Sequence, residues 1–380
     1  MENTTKHLKI ETVTPVSVGT GEVWSPVTDF FVKDKQLYRI DAVKFQNLLQ
    51  ENNKIETFLQ YVSKSINESR TGTNADLRLF IENELNSPAQ NLAGSVLPYP
   101  NMESGKEQVD CCYQVTGLPI IPGSSLKGAV KTALFYDWLK HSGDGKKALD
   151  NIINHLLPQY HSEWFKKEYP KEVEQKFPDA HDEAGKHLFA DLSISDTDPF
   201  PEESMIIFKT KRIHLNNPKY NGVPQVKMCI NKGYSSILNY MSSRWKPDIS
   251  FIQQMNTFAY NTIVTEEEIL FDHSQGISRN IKQKLNTFYN RMTNEIDRIE
   301  ESEELTFFLR IGSGKSFYNN TISMILLETD IEAFKTFCKM YKLGKAPNEK
   351  HYKPKEPFPV TRSVISGIYE PMGWVKISIQ

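Results

Sequence analysis

The sequence predicts an α+β protein of two units. Three observations carry this: apolar alternation near both ends of the chain, helical periodicity in the long stretches between, and a length of 380 residues, enough for two cores of ordinary size. Strand-like segments separated by helical ones occur twice over, the pattern of two mixed units rather than of a bundle or a sandwich.

Leu8, Ile10 and Val13 mark a first strand in "HLKIETV", and Pro15, Gly19, Gly21 and Pro26 punctuate the loop that follows. "DFFVKDKQLYRIDAVKF" reads as a hairpin turning at Lys33 to Lys35. Residues 46–101 are polar and mixed, with helical patterns at 58–66 and 77–85, as in an inserted helical subregion. In "GLPIIPGSSLKGAVKTALFYDWLK" a Pro122-Gly123 turn leads to Ser124 or Ser125 as helix cap, and Leu126, Val130, Ala133, Leu134 and Trp138 form the buried face. Lys127 and Lys131 lie one turn apart on another face, beside a helix N-terminus whose free N–H groups attract anions; they are either solvated surface or a phosphate cradle.

Residues 143–186 read as a second charged, helix-rich insertion. His155, His161, His181 and His187 with Asp182 and Glu183 are spaced too widely for one helical face, and Pro158, Pro170 and Pro178 interrupt it, so no metal centre is expected. "LFADLSISDT" reads as a strand, and 209–227 as a long hairpin carrying Lys209, Lys211, Arg212, His214 and Lys219 with Tyr220 near its tip. From Pro247 the chain turns helical, and Ile277, Ile281, Leu285, Phe288, Met292, Ile296 and Ile299 make an amphipathic stripe. "ELTFFLRI" is a strand, "TDIEAFKTFCKMYK" a helix, and Val375, Ile377 and Ile379 alternate in a half-buried last strand.

Composition excludes several classes. The net charge of −2 argues against a protein that coats nucleic acid over its whole surface, while leaving room for a local basic groove. No apolar run is long enough to span a bilayer and no signal pattern opens the chain, so a cytoplasmic protein without membrane contact is expected. The four cysteines form no Cys-x-x-Cys pair and read as reduced and structural. "LRIGSGKS" imitates a nucleotide-binding loop, but Leu309 stands where that loop needs a glycine, five positions before Gly314. No nucleophile elbow and no His-Glu-x-x-His occurs; neither catalytic residues nor a cofactor is expected.

"VSVGTG", "LPIIPGSSLKGAVKTAL", "LRIGSGKS" and "FPVTRSVISGIYEPMGWVKI" together resemble the RAMP superfamily of CRISPR RNA-binding proteins, and most of all the type III-A Csm subunit that caps the crRNA 3′ end. The resemblance implies two ferredoxin-like (RRM-like) domains with helical insertions: 1–226, with insertions at about 46–101 and 143–186 and a thumb-like hairpin near 209–227, and 227–380, with the glycine loop at 312–316. It implies a non-catalytic crRNA-binding subunit that ends the backbone filament and assists 3′ maturation. Its partners would be the crRNA 3′ region, the adjacent backbone subunit, the small helical subunit, target RNA and host trimming nucleases. Carried over residue by residue, RNA contacts fall on Gly19, Thr20 and Gly21, on Ser124, Ser125, Lys127 and Lys131, on Lys211 and Arg212, on Arg310, Gly312, Ser313, Gly314 and Lys315, and on Arg362. The related backbone subunit cuts RNA with an aspartate after its first strand; Asp29 occupies comparable territory but reads as strand, and the expectation is binding without cleavage. A metal-independent CRISPR endoribonuclease using His7 and a protein adaptor without RNA contact are the alternative readings.

Overall fold

The computed structural model describes residues 6–68, 76–102, 105–156, 192–217, 219, 222–241, 247–273, 276–319, 321–340, 342–344 and 358–379. In chain order the first elements are β1 (Lys6–Thr12), β2 (Gly19–Trp24), β3 (Phe30–Lys33), β4 (Gln36–Ile40), α1 (Ala42–Glu51), α2 (Ile55–Glu68) and α3 (Leu77–Glu84). The strands β5 (Ala93–Pro98), β6 (Val109–Cys112), β7 (Gln114–Val115) and β8 (Leu118–Pro119) precede the helices α4 (Gly123–His141) and α5 (Gly143–Asn151). Next come β9 (Ser193–Ile194), β10 (Met205–His214), β11 (Gln225–Ile230), β12 (Ser235–Met241), α6 (Ile249–His273) and α7 (Arg279–Glu301). The last elements are β13 (Thr306–Arg310), α8 (Thr321–Thr329), α9 (Ile331–Met340), β14 (Thr361–Ile365) and β15 (Trp374–Ile379).

Two five-stranded sheets, ordered β13-β15-β1-β12-β9 and β14-β10-β11-β6-β2, form the frame, so the chain is α+β as expected. Both sheets draw strands from the two ends of the sequence, and the anticipated boundary at 226/227 falls inside β11. β1 lies between β15 and β12, with Leu8 opposite both Ile379 and Leu238. The expected hairpin is present: β10 and β11 pair antiparallel from Met205↔Ile230 to Thr210↔Gln225, and beyond that β10 pairs with β14.

The β3–β4 hairpin turns where the sequence places it, at Asp34 and Lys35, both with positive φ (51° and 59°), as a two-residue turn requires. The 46–101 region is less purely helical than expected, because β5 joins β3 and β4 in a three-stranded sheet beneath α1–α3. Of the 143–186 region, α5 is helical as expected; residues 157–191, with His161, His181, Asp182, Glu183 and His187, lie outside the described residues. Asp29 is not in a strand. It closes the turn before β3, accepting hydrogen bonds from Ser25 N (2.7 Å) and Thr28 Oγ1 (3.2 Å). No helix among the described residues is long and apolar enough to cross a membrane.

β13 decides how the site is built. All five of its residues are buried, because the sheet is covered on both sides. Alternation sends Phe307 and Leu309 into the core shared with α4, and Phe308 into the core shared with α6 and α7. The α7 stripe of Leu285, Phe288, Met292, Ile296 and Ile299 fills that second core, as its periodicity predicts.

Candidate nucleic-acid interface

Three backbone segments from distant parts of the sequence meet at the end of β13. Ser313 N and Oγ both donate to Ser17 O (2.9 and 3.1 Å), tying the glycine loop to the segment that leads into β2. Ile311 N donates to Gly373 O (2.8 Å), and Gly373 N donates to Pro15 O (2.9 Å). The approach is close enough to demand glycine: a Cβ on Gly314 would stand 2.1 Å from Met372 O, and one on Gly312, where φ is +65°, 2.2 Å from Ser17 O. These glycines therefore serve the packing of the protein's own loops.

At this junction Gly19, Thr20, Gly21, Ser313 and Lys315 remain exposed. Gly21 has φ +88° with open space where a side chain would be, and Thr20 Oγ1 accepts from Glu22 N (3.0 Å). Ala129 and Thr132 of α4 line one small, largely buried cavity with Lys315, Asn319, Arg310 and Trp374, so α4 and the glycine loop lie side by side. Crowding by protein atoms holds the Lys315 ammonium below the ordinary lysine pKa. Lys131 is lowered too, first by burial and then by the Lys127 ammonium.

The N-terminus of α4 differs from expectation. Neither Ser124 nor Ser125 caps it; Pro122 is the cap residue and the helix starts at Gly123. Gly123 N donates to Asp196 Oδ1 (2.9 Å), so a carboxylate of the chain itself occupies the position anticipated for a phosphate. Gly123 also has to be glycine, since a Cβ would lie 2.1 Å from Ile194 O. Lys127 Nζ donates to Leu192 O (2.7 Å), which fastens α4 to the segment before β9.

Two arginines expected at the RNA are core residues. Arg310 Nη1 pairs with Glu266 Oε1 at 2.8 Å, with side chains 4% and 2% exposed, and its Nε donates to Met372 O (3.1 Å). Arg362 donates to Pro359 O (2.6 Å), and its guanidinium lies 5.1 Å from the Tyr318 ring centroid. Both are buried and bound by the protein's own groups, an arrangement that speaks against their expected role as RNA contacts. Lys211 and Arg212 also part company: consecutive strand residues point to opposite faces, and only Arg212 is fully exposed.

Residues that sequence reasoning missed are Ser17, Asp196, Glu266, Asn319 and the Met372–Gly373 backbone. Gly373, in "EPMGWVK", was the one with a signal, a lone glycine entering a strand. Among the described residues no three or more histidine, cysteine, aspartate or glutamate side chains gather in a metal-binding arrangement. The cysteines are buried, and burial pushes Cys111, Cys112 and Cys338 up to about 12, which leaves protonated, unreactive thiols.

The sequence model of the RAMP superfamily matches residues 9–318, which takes in β1, the loop into β2, α4 and the glycine loop. The chain belongs to the RAMP superfamily. Among individual RAMP-like relatives, it is 25% identical over 399 residues to the CRISPR system Cms protein Csm5 of Methanocaldococcus jannaschii, covering 99% of this chain and 89% of that protein. It is also 25% identical over 214 residues to the Streptococcus thermophilus protein of the same description, a match covering 53% of this chain and 54% of that one. In fold it resembles a chain of a Csm–crRNA–target RNA ternary complex of a type III-A CRISPR–Cas system, with TM-score 0.68 and 18% identity over 99% of this chain and 100% of that one. T. onnurineus Csm5 is similar at TM-score 0.54 and 17% identity, over 97% and 99% of the two chains.

Proposed function

We propose that this RAMP protein is a non-catalytic crRNA-binding subunit of a type III-A Csm complex in the cytoplasm, which caps the crRNA 3′ end and the backbone filament and assists 3′ maturation. Similarity to one Csm5 protein over nearly the whole chain supports the assignment to that complex. In this reading the two sheets with their helices correspond to two ferredoxin-like units that exchange strands near the chain ends. Partners are the crRNA 3′ region, the neighbouring backbone subunit, the small helical subunit, target RNA and trimming nucleases.

One observation carries RNA binding: α4, which bears Lys127 and Lys131, lies beside the glycine loop with its exposed Lys315, and crowding depresses the pKa of both Lys131 and Lys315. Partly desolvated cations attract phosphate strongly, because their field is poorly screened. Thr20, Gly21, Ser124 and Ser313 supply exposed hydroxyls and backbone along the same strand path. Phosphate contacts of this kind bind and orient RNA without reading its sequence. The Asp29 carboxylate is engaged in its own turn, which supports binding without cleavage.

The test is the salt dependence of single-stranded RNA affinity for the intact chain and for Lys131→Gln combined with Lys315→Gln. Removing two phosphate contacts lowers the log–log slope by about 1.4 in the single-strand regime. An unchanged slope and affinity would assign both lysines to ordinary surface.

A further inference from the structure

Among the described residues, lysines in two contrasting settings stand out. Lys209, Lys227, Lys232 and Lys376 are neutralised by Glu107, Asp110, Glu370 and Glu295 at 2.9, 2.8, 3.3 and 2.8 Å. Lys211 and Lys284 are not. They come from β10 and α7 and converge on one neutral side chain, Tyr369, in the turn between β14 and β15. Lys211 Nζ is 4.8 Å from the ring centroid and 3.3 Å from the phenol oxygen. Lys284 Nζ is 5.1 Å from the centroid and donates to Gly367 O (2.9 Å). Neither has a carboxylate partner among the described residues, and the neighbouring acid, Glu370, is turned to Lys232.

We propose that Tyr369, Lys211 and Lys284 form a second phosphodiester site for single-stranded RNA, beyond the glycine-loop surface. This rests on the RNA-binding reading above and adds a site to it. Two like charges held within about 5 Å of one ring centroid repel one another, so the arrangement gains when an anion binds to them. Ring, hydroxyl and carbonyl fix the ammonium positions while leaving their charge intact, which a carboxylate would not.

The backbone around it fits a built feature. Tyr369 is held at φ +65°, a conformation that non-glycine residues adopt only at a cost, and Gly367, two residues before it, has φ +83°. Chain connectivity places the site close to the first one: Tyr369 is four residues from Gly373, at most about 14 Å of extended chain, and Gly373 holds the glycine loop. The proposal has one RNA strand pass both.

The experiment measures the salt dependence of affinity for a labelled single-stranded RNA with the crRNA 3′ sequence, using the full chain. The variants are Lys211→Gln combined with Lys284→Gln, Lys315→Gln as reference for the first surface, and Tyr369→Gly, which removes the ring at a position whose φ suits glycine. The double variant is expected to lower the slope by about 1.4, and Tyr369→Gly to weaken binding with both lysines still present. Unfolding midpoints confirm that each variant is folded. If the double variant leaves slope and affinity unchanged while Lys315→Gln lowers them, this site is overturned and the RNA reading survives. If the intact chain binds no RNA even at low salt, both fall. If RNA binding is unchanged but the double variant no longer joins the assembled complex, the cluster meets an acidic protein surface, and the phosphodiester site is again overturned.

Discussion

Arg310→Ala removes a charge that the fold itself uses. The Arg310–Glu266 pair is 2.8 Å long between side chains only 4% and 2% exposed, and Tyr289 Oη donates to the same carboxylate at 3.4 Å. Deleting one partner strands the other charge in the core, which typically costs 3–5 kcal/mol. Against a total stability of about 5–15 kcal/mol that is a large share. Arg310→Met with Glu266→Met removes both charges, and most of the loss should return, because burying a matched pair is itself expensive. Urea unfolding of the single and double variants gives the cycle, and the RNA salt slope of folded Arg310→Ala, measured in parallel, should stay at the wild-type value. A stability loss below about 1 kcal/mol with a slope reduced by about 0.7 would refute the reasoning, since that is the signature of a phosphate contact.

Three further predictions concern the junction and the thiols. Gly314→Ala places a Cβ on the Met372 carbonyl and is expected to lose about 1–3 kcal/mol, whereas Gly128→Ala, with open space on an exposed helix face, should gain up to about 1 kcal/mol; thermal melting separates the two. Lys131 and Lys315 have folded pKa values below their unfolded ones, so the unfolded chain holds more protons and stability rises as pH climbs through that interval. At neutral pH the penalty is fully present, and Lys→Gln at either position should leave the urea midpoint equal or higher while RNA affinity falls; a lower midpoint contradicts this. The four buried thiols should resist a thiol reagent at pH 8 until the chain is unfolded, and rapid native labelling would contradict the burial.

Most elements were legible because they are periodic: β1, the β3–β4 and β10–β11 hairpins, α4, α7, α9, β13 and β15 follow their apolar spacing. β6, β12 and β14 were not assigned from the sequence. β6 and β14 are too short, at four and five residues, to show a sustained alternation, whereas β12 alternates throughout and follows a turn at Asn231–Gly233, so its signal was present. The site was half legible. Glycines at 312 and 314 announce a close approach, but a sequence does not say whether the approaching atom belongs to RNA or to Ser17 and Met372. Arg310 was legible in principle: it ends the unbroken apolar run Phe307-Phe308-Leu309, which signals a strand buried on both faces. Asp196 was invisible, because its role depends on a contact across 73 residues.

The central claim is that the surface joining α4 to the glycine loop holds the crRNA 3′ region. The most direct measurement is the 3′-end length and nuclease protection of crRNA in complexes assembled with the wild-type chain and with Lys127→Ala, Lys131→Ala and Lys315→Ala combined. The account predicts a complex that still assembles but carries an unprotected or immature 3′ end. Wild-type protection, end length and salt dependence in that complex would contradict it.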